Sequence, residues 1–278
     1  MGRTAQYYMP LHVREMLSFM EQREIIELEL ITPELLRIYV QQLSNRKNQR
    51  RGGGISKSYI NKHLQAIKKF SEYIWKVYKI QISVSLKRQV INDGKKIEIL
   101  TAEEISSLYE AAEYDDYLML RDKALLDVFY GCGLRRTEGV MLDLEDVDLE
   151  LRRIHVRYGK NYSQRYVPFT KTTAESLRAY IDHGRKYLLN QSNRAFFISQ
   201  KGNRMRGMSM ILRIKKLQER SNVASIKDKD VGLHTLRHSI ATHFLQNGME
   251  LQQIQKFLGH SSLESTQIYT HLLEKQEP

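Results

Sequence analysis

The sequence predicts a mainly α protein with a small antiparallel β-sheet, divided into an N-terminal helical domain (1–88), a linker (89–96) and a C-terminal mixed α+β domain (97–278). Three observations carry this reading. Apolar residues recur at steps of three and four through most of the chain, the period of a helix with one buried stripe. A single stretch, Arg153 to Phe169, changes to period two on either side of a turn, which marks a β-hairpin. Between Arg88 and Lys96 a polar run containing Asn-Asp-Gly breaks both patterns, and 278 residues suffice for two domains that each bury a core.

Taken in order, Leu11, Met16, Leu17 and Met20 predict a first helix over 11–20. Thr32-Pro33 offers an N-cap followed by proline in the first turn, and Leu35, Leu36, Tyr39, Val40 and Leu43 continue a second helix. The basic run 45–54 reads as a loop. Ser56 or Ser58 then caps a third, longer helix reaching about Tyr78, with Ile60, Leu64, Ile67, Ile74 and Val77 inward. Lys57, Asn61, Lys62, Gln65, Lys68 and Lys69 are expected on its outer surface, where polar residues between lysines can meet base edges and phosphates.

Thr101 with Glu104 three residues later forms a capping box that starts a helix, and Arg121 to Tyr130 predicts a buried one. After two glycines, Arg135 enters a further helix. The hairpin follows at 153–156 and 165–169, then a helix from Thr172 to Leu188 and a short strand or buried run at Phe196 to Ile198. Ser209 to Arg220 repeats Met210, Ile211, Ile214 and Leu217 inward, leaving Arg204, Arg206, Arg213, Lys215 and Lys216 outward. Leu233, Leu236, Ile240 and Phe244 define a helix over 233–246 ended by Asn247-Gly248, and Leu251, Ile254, Phe257 and Leu258 lead to Gly259-His260. A Ser-Ser turn at 261–262 opens a last short helix ending in Tyr269.

Charge narrows the partner. The chain carries a formal net charge of +12, and residues 1–98 hold 18 Lys and Arg against 9 Asp and Glu, a net +9 of that total. A basic excess concentrated in the first third points to a polyanion, nucleic acid foremost. No apolar run approaches the length of a membrane span, and the opening MGRTAQYYMP lacks the apolar core of a secretory signal. Cys132 is the single cysteine, so no intrachain disulfide can form and a reducing cytoplasm is the expected setting.

Between 234 and 271 lie a fixed cation (Arg237), imidazoles (His234, His260) and a phenol (Tyr269) on consecutive elements, a combination suited to chemistry on a phosphate. A guanidinium fork binds two phosphate oxygens at once. A phenol is a poor nucleophile at neutral pH unless cations stabilise its anion or a base takes its proton. Five histidines in this stretch raise the question of zinc, but no His-Glu-x-x-His is present and Arg237 would repel a metal; neither metal nor cofactor is expected.

His-x-x-Arg-His at 234–238, Leu-Gly-His at 258–260 and a tyrosine nine residues after that histidine closely resemble the second motif box of the tyrosine recombinases, the phage-integrase and Xer family of site-specific DNA recombinases. Gly-Leu-Arg-Arg-Thr-Glu at 133–138 resembles the first box, which implies a catalytic role for Arg135 and a supporting one for Glu138. The hairpin resembles the one whose Gly-Lys turn carries the family's catalytic lysine, which implies Lys160. The first domain looks like the family's SAM-like core-binding bundle, in the compact kind with a single core domain, and the helix at 209–220 is implied to face the major groove. The second domain would be the DNA breaking-rejoining catalytic domain.

The resemblance implies a 3′-phosphotyrosyl mechanism without cofactor. Tyr269 is the nucleophile, Arg135 and Arg237 hold the nonbridging oxygens, Lys160 is the general acid for the 5′ oxygen, and His234 and His260 hydrogen-bond the phosphate. It also implies a homo-tetramer on two double-stranded DNA sites, with or without a partner recombinase. Two other readings stay open on sequence alone. A type IB topoisomerase uses the same residue kinds, and a non-catalytic DNA-binding regulator would be indifferent to the loss of Tyr269.

Overall fold

The structure, a computed structural model, describes residues 3–48, 52–90, 97–113, 116–157, 164–189, 192–259 and 266, with side chains from residue 8 onward. The chain divides into two compact units at Lys95–Lys96.

The N-terminal unit is built on three helices. Helix α1 (Arg3–Glu21) is longer than the apolar pattern predicts, beginning eight residues earlier and running through Pro10. Helix α2 (Pro33–Asn45) starts where expected, with the Thr32 hydroxyl accepting from Leu35 N and proline at the first turn. Helix α3 (Lys57–Tyr78) is capped by Ser56, whose Oγ accepts from Tyr59 N, and closes on Lys79 in a left-handed conformation. Met16, Phe19, Met20, Ile31, Leu36, Tyr39, Ile67, Ile74 and Ile82 form the core. Val77 is 49% exposed rather than inward, because the α3 end passes beyond that core.

The C-terminal unit surrounds a larger core. Helix α4 (Ala102–Glu110) carries the Thr101–Glu104 capping box, both halves formed. Helix α5 (Tyr117–Leu126) passes directly into a π-turn, Asp127–Gly131, where Cys132 N donates to Asp127 O at 2.8 Å. Such a widened turn lets the helix end be redirected without breaking its hydrogen bonds, and it sets the direction of Gly133-Leu134-Arg135. Helix α6 (Arg136–Met141) packs so closely on this turn that a Cβ at Gly139 would stand 2.4 Å from the Phe129 ring.

The sheet has three strands in the order β1 (Val147–Asp148), β2 (Arg153–Val156), β3 (Arg165–Pro168), all antiparallel, with Ile154 opposite Val167 and Val156 opposite Arg165. The hairpin was legible; β1 was not, since two residues are too few to show a period. Helix α7 (Lys171–Ala179) continues through a π-segment, Tyr180–Arg185, into the short α8 (Lys186–Leu188), where the sequence predicts one helix. Helix α9 (Gly207–Arg220) follows the buried Phe196, Phe197 and Ile198. Helices α10 (Leu233–Gln246) and α11 (Leu251–Leu258) match their predicted spans, and Gly259 ends α11 at φ 65°. The short helix expected before Tyr269 lies outside the described residues, apart from Thr266, which is buried.

Candidate active site

Glu138 is the hub on which the first motif box is organised. At 4% exposure, its carboxylate caps α6 by accepting from Arg135 N at 2.9 Å and binds the Arg135 guanidinium at 2.8 Å. Its other partner, Arg165 on β3, makes a bidentate pair at 2.9 and 3.0 Å. Burial alone would raise the carboxyl pKa, yet the hydrogen bonds and charges of Arg165 and Arg135 outweigh it and hold it down at about 2. A buried carboxylate with two guanidiniums is fully ionised and fixes both in place.

The second box meets the first at the end of α11. Arg135 Nη2 donates to Gly259 O at 2.7 Å and Arg237 Nη2 to Leu258 O, also at 2.7 Å, while Arg237 Nη1 donates to Gly133 O. Arg165 Nε adds a bond to Phe257 O at 3.1 Å. Three guanidiniums thus bind three consecutive carbonyls at a helix C-terminus, where the backbone dipole presents partial negative charge. Two glycines make the approach possible. A Cβ at Gly133, at φ 57°, would meet Leu258 Cδ2 at 3.0 Å, and one at Gly259 would meet the Arg165 side chain at 2.9 Å. Both also need left-handed backbone, which only glycine adopts readily.

His234 and Arg237 lie on one face of α10, as their spacing requires. His234 keeps an exposed face, and its pKa is lowered by desolvation and by the positive charges of Arg136, Arg237 and Arg135. It is therefore neutral at pH 7 and can accept or donate a hydrogen bond. His238 is likewise held down, at about 4, by burial, His234 and Arg237. The start of α4 is tied to α10 by Leu100 N donating to Ser239 Oγ at 2.8 Å.

Of the six residues expected to be catalytic, Arg135, His234 and Arg237 lie together with Glu138 at this junction. Lys160, His260 and Tyr269 lie outside the described residues. Arg165 was missed by sequence reasoning. It shares the inward parity of Val167 on β3, and a cation at an inward strand position demands a buried carboxylate, which is the signal that could have found it.

Three expected DNA contacts need correction. Asn61 is buried, its amide donating to Gln89 O at 2.9 Å and accepting from Gln89 N at 2.8 Å, so it anchors the segment after α3 instead of facing outward. Arg204 donates to Val140 O, Leu142 O and the Asp143 carboxylate. Arg213 holds the fully buried Asp122 at 2.8 Å. Periodicity places a residue on a face but cannot show a distant buried carboxylate that needs a cation. Lys57, Lys62, Gln65, Lys68, Lys69, Arg206 and Lys215 are exposed as expected, Lys69 pairing with Glu72 and Lys215 with Asp230.

The junction sets two braced guanidiniums beside an exposed imidazole, an arrangement suited to chemistry on a phosphate. Residues 98–276 match the phage integrase family. Tyrosine recombinase XerC of Chlamydia caviae is 34% identical over 250 residues, 88% of this chain and 75% of that one. The XerC of Bacillus subtilis is 33% identical over 225 residues, covering 79% and 72%. Among solved structures, XerA recombinase is 27% identical with a TM-score of 0.56, covering 100% of this chain and 94% of that one. XerH recombinase bound to difH substrate before cleavage is 25% identical with a TM-score of 0.64, covering 90% and 70%. The chain belongs to the phage integrase family: it is a tyrosine recombinase, a site-specific enzyme that cleaves and rejoins DNA.

Proposed function

We propose that Tyr269 attacks the scissile phosphate, forming a 3′-phosphotyrosyl bond as the bond to the 5′ oxygen breaks. Lys160 gives the leaving oxygen its proton, so a free 5′-hydroxyl is released. Arg135 and Arg237 bind the nonbridging oxygens, and His234 and His260 hydrogen-bond the phosphate and assist proton movement at Tyr269. The phosphotyrosyl link keeps the energy of the phosphodiester, so a 5′-hydroxyl from a second strand can reseal it. Catalysis is then positioning and charge stabilisation. The observation that supports this reading is the convergence of Arg135 and Arg237 on the carbonyls of Gly259 and Leu258, immediately before His260. Glu138 and Arg165 hold that convergence in place.

In the same reading, residues 1–88 form the core-DNA-binding domain, 89–96 the linker and 97–278 the catalytic domain. Lys57, Lys62, Gln65, Lys68 and Lys69 on α3, with Arg206 and Lys215 near α9, contact double-stranded DNA at a specific recombination site. Exchange of four strands calls for a homo-tetramer on two sites, or a tetramer shared with a partner recombinase, acting in the cytoplasm. A DNA duplex nicked near its site traps the covalent complex by letting the 5′ fragment diffuse away. Mass spectrometry of that complex is expected to place the nucleotide on Tyr269, and Tyr269→Phe to abolish the adduct while DNA binding stays within a few-fold. An adduct on another residue, or binding lost together with cleavage, overturns the assignment.

A further inference from the structure

The N-terminal unit contains a cluster that the chemistry at Arg135 and Arg237 does not use. His12 and Glu15 lie three residues apart on one face of α1, and His63 reaches them from α3. One ligand atom from each of the three stands within 4.8 Å of the others. Both imidazoles are buried, with ring centroids 4.0 Å apart, while 35% of the Glu15 side chain meets solvent.

His63 carries the argument. Its Nδ1 hydrogen-bonds Tyr39 Oη at 2.9 Å, whereas its buried Nε2 has no hydrogen-bond partner among the described residues. Glu15 Oε2, at 3.9 Å, is beyond hydrogen-bond reach. A buried polar atom left in this way is destabilising until a ligand satisfies it. In the tautomer whose Nδ1–H donates to Tyr39, Nε2 presents a lone pair to the cluster, which is how a metal-bound imidazole is held, its outer nitrogen fixed by a second polar group. Glu15 Oε1 pairs with Arg46, leaving Oε2 on the side of His63.

We propose that His12, Glu15 and His63 bind one divalent transition-metal ion, zinc by preference, with water as the fourth ligand. Two imidazoles and one carboxylate are an established donor set for tetrahedral zinc. Ligand atoms about 2.0–2.1 Å from zinc stand roughly 3.4 Å apart, so atoms now within 4.8 Å of one another draw together by up to about 1.4 Å on binding, and the partly exposed Glu15 side chain has room to move. The ion ties α1 to α3, the helix whose outer face carries Lys57, Lys62 and Lys68. Arg46 and Lys62, whose charges both act on His12, oppose the ion and limit its affinity.

The test titrates cobalt(II) into the metal-free full-length chain, follows visible absorption, and then competes with zinc. One ion per chain with tetrahedral cobalt bands is expected, together with a zinc-dependent rise in Tm. Glu15→Gln and His12→Gln should each weaken binding at least tenfold, and Arg46→Gln should tighten it severalfold, a gain that misfolding cannot produce. Absence of stoichiometric binding overturns the proposal. So does binding that Glu15→Gln and His12→Gln leave unchanged, because the metal then sits on other histidines.

Discussion

Two pairs of arginines in the C-terminal unit look alike in the sequence and differ in what surrounds them. Arg204 and Arg213 each pair directly with a buried carboxylate, Asp143 and Asp122, which also meet Arg157 and Arg194 in the first case and Arg121 in the second. Arg237 donates to the neutral carbonyls of Gly133 and Leu258, while Arg135 divides its guanidinium between Gly259 O and Glu138, a carboxylate it shares with Arg165. Among the described residues, three guanidiniums against one carboxylate leave a surplus of positive charge at the junction of α11 with the first motif box. Arg135 and Arg237 converge on the end of one helix beside the exposed His234, where rigid positive charge can meet a phosphate, whereas Arg204 and Arg213 serve chiefly as struts to the buried Asp143 and Asp122.

That distinction can be broken by substitution. Arg135→Ala and Arg237→Ala are each expected to slow single-turnover strand cleavage by about 10²–10³-fold, the usual effect of removing one preorganised donor from a developing charge. Arg213→Met should do the reverse. Asp122, left among the described residues with Arg121 at 3.4 Å, should destabilise the fold by about 3 kcal/mol, seen as a lower urea midpoint, while the folded fraction cleaves at the normal rate. Equal cleavage losses in both sets would erase the contrast.

Glu138 sharpens it in acid. Its folded-state pKa of about 2 lies below the ordinary value of 4.5. The stabilisation is therefore complete above pH about 4.5 and is lost as pH falls toward 2. It amounts to about 3 kcal/mol. Urea unfolding measured across that window should show the loss, and Glu138→Gln should flatten it. The smallest effects belong to α3. Lys62→Ala or Lys68→Ala should lower the salt dependence of DNA binding by about one counterion each. Asn61→Ala should leave that slope unchanged and lower stability by about 1 kcal/mol.

The sequence showed the helices with clear apolar stripes and caps, including the Thr32 and Thr101 starts, and it showed the hairpin; for α3 it left Ser56 and Ser58 open, and the cap is Ser56. It also singled out Arg135, Glu138, His234 and Arg237, because local spacing carries their residue types. It could not show the π-turns after α5 and α7, which leave the helical period nearly intact. Nor could it show Arg165 joining Glu138 across 27 residues, or Asn61 turning inward to Gln89 across 28. Those pairings are set by tertiary packing, and no local period records them.

The central claim is that Arg135 and Arg237 act on the charge of the nonbridging phosphate oxygens. It is tested most directly by replacing the scissile phosphate with an uncharged methylphosphonate in the nicked duplex and measuring covalent adduct formation. If the claim holds, Arg135→Ala and Arg237→Ala lose most of their penalty on the neutral substrate and approach the unsubstituted enzyme. The same penalty on both substrates would contradict it.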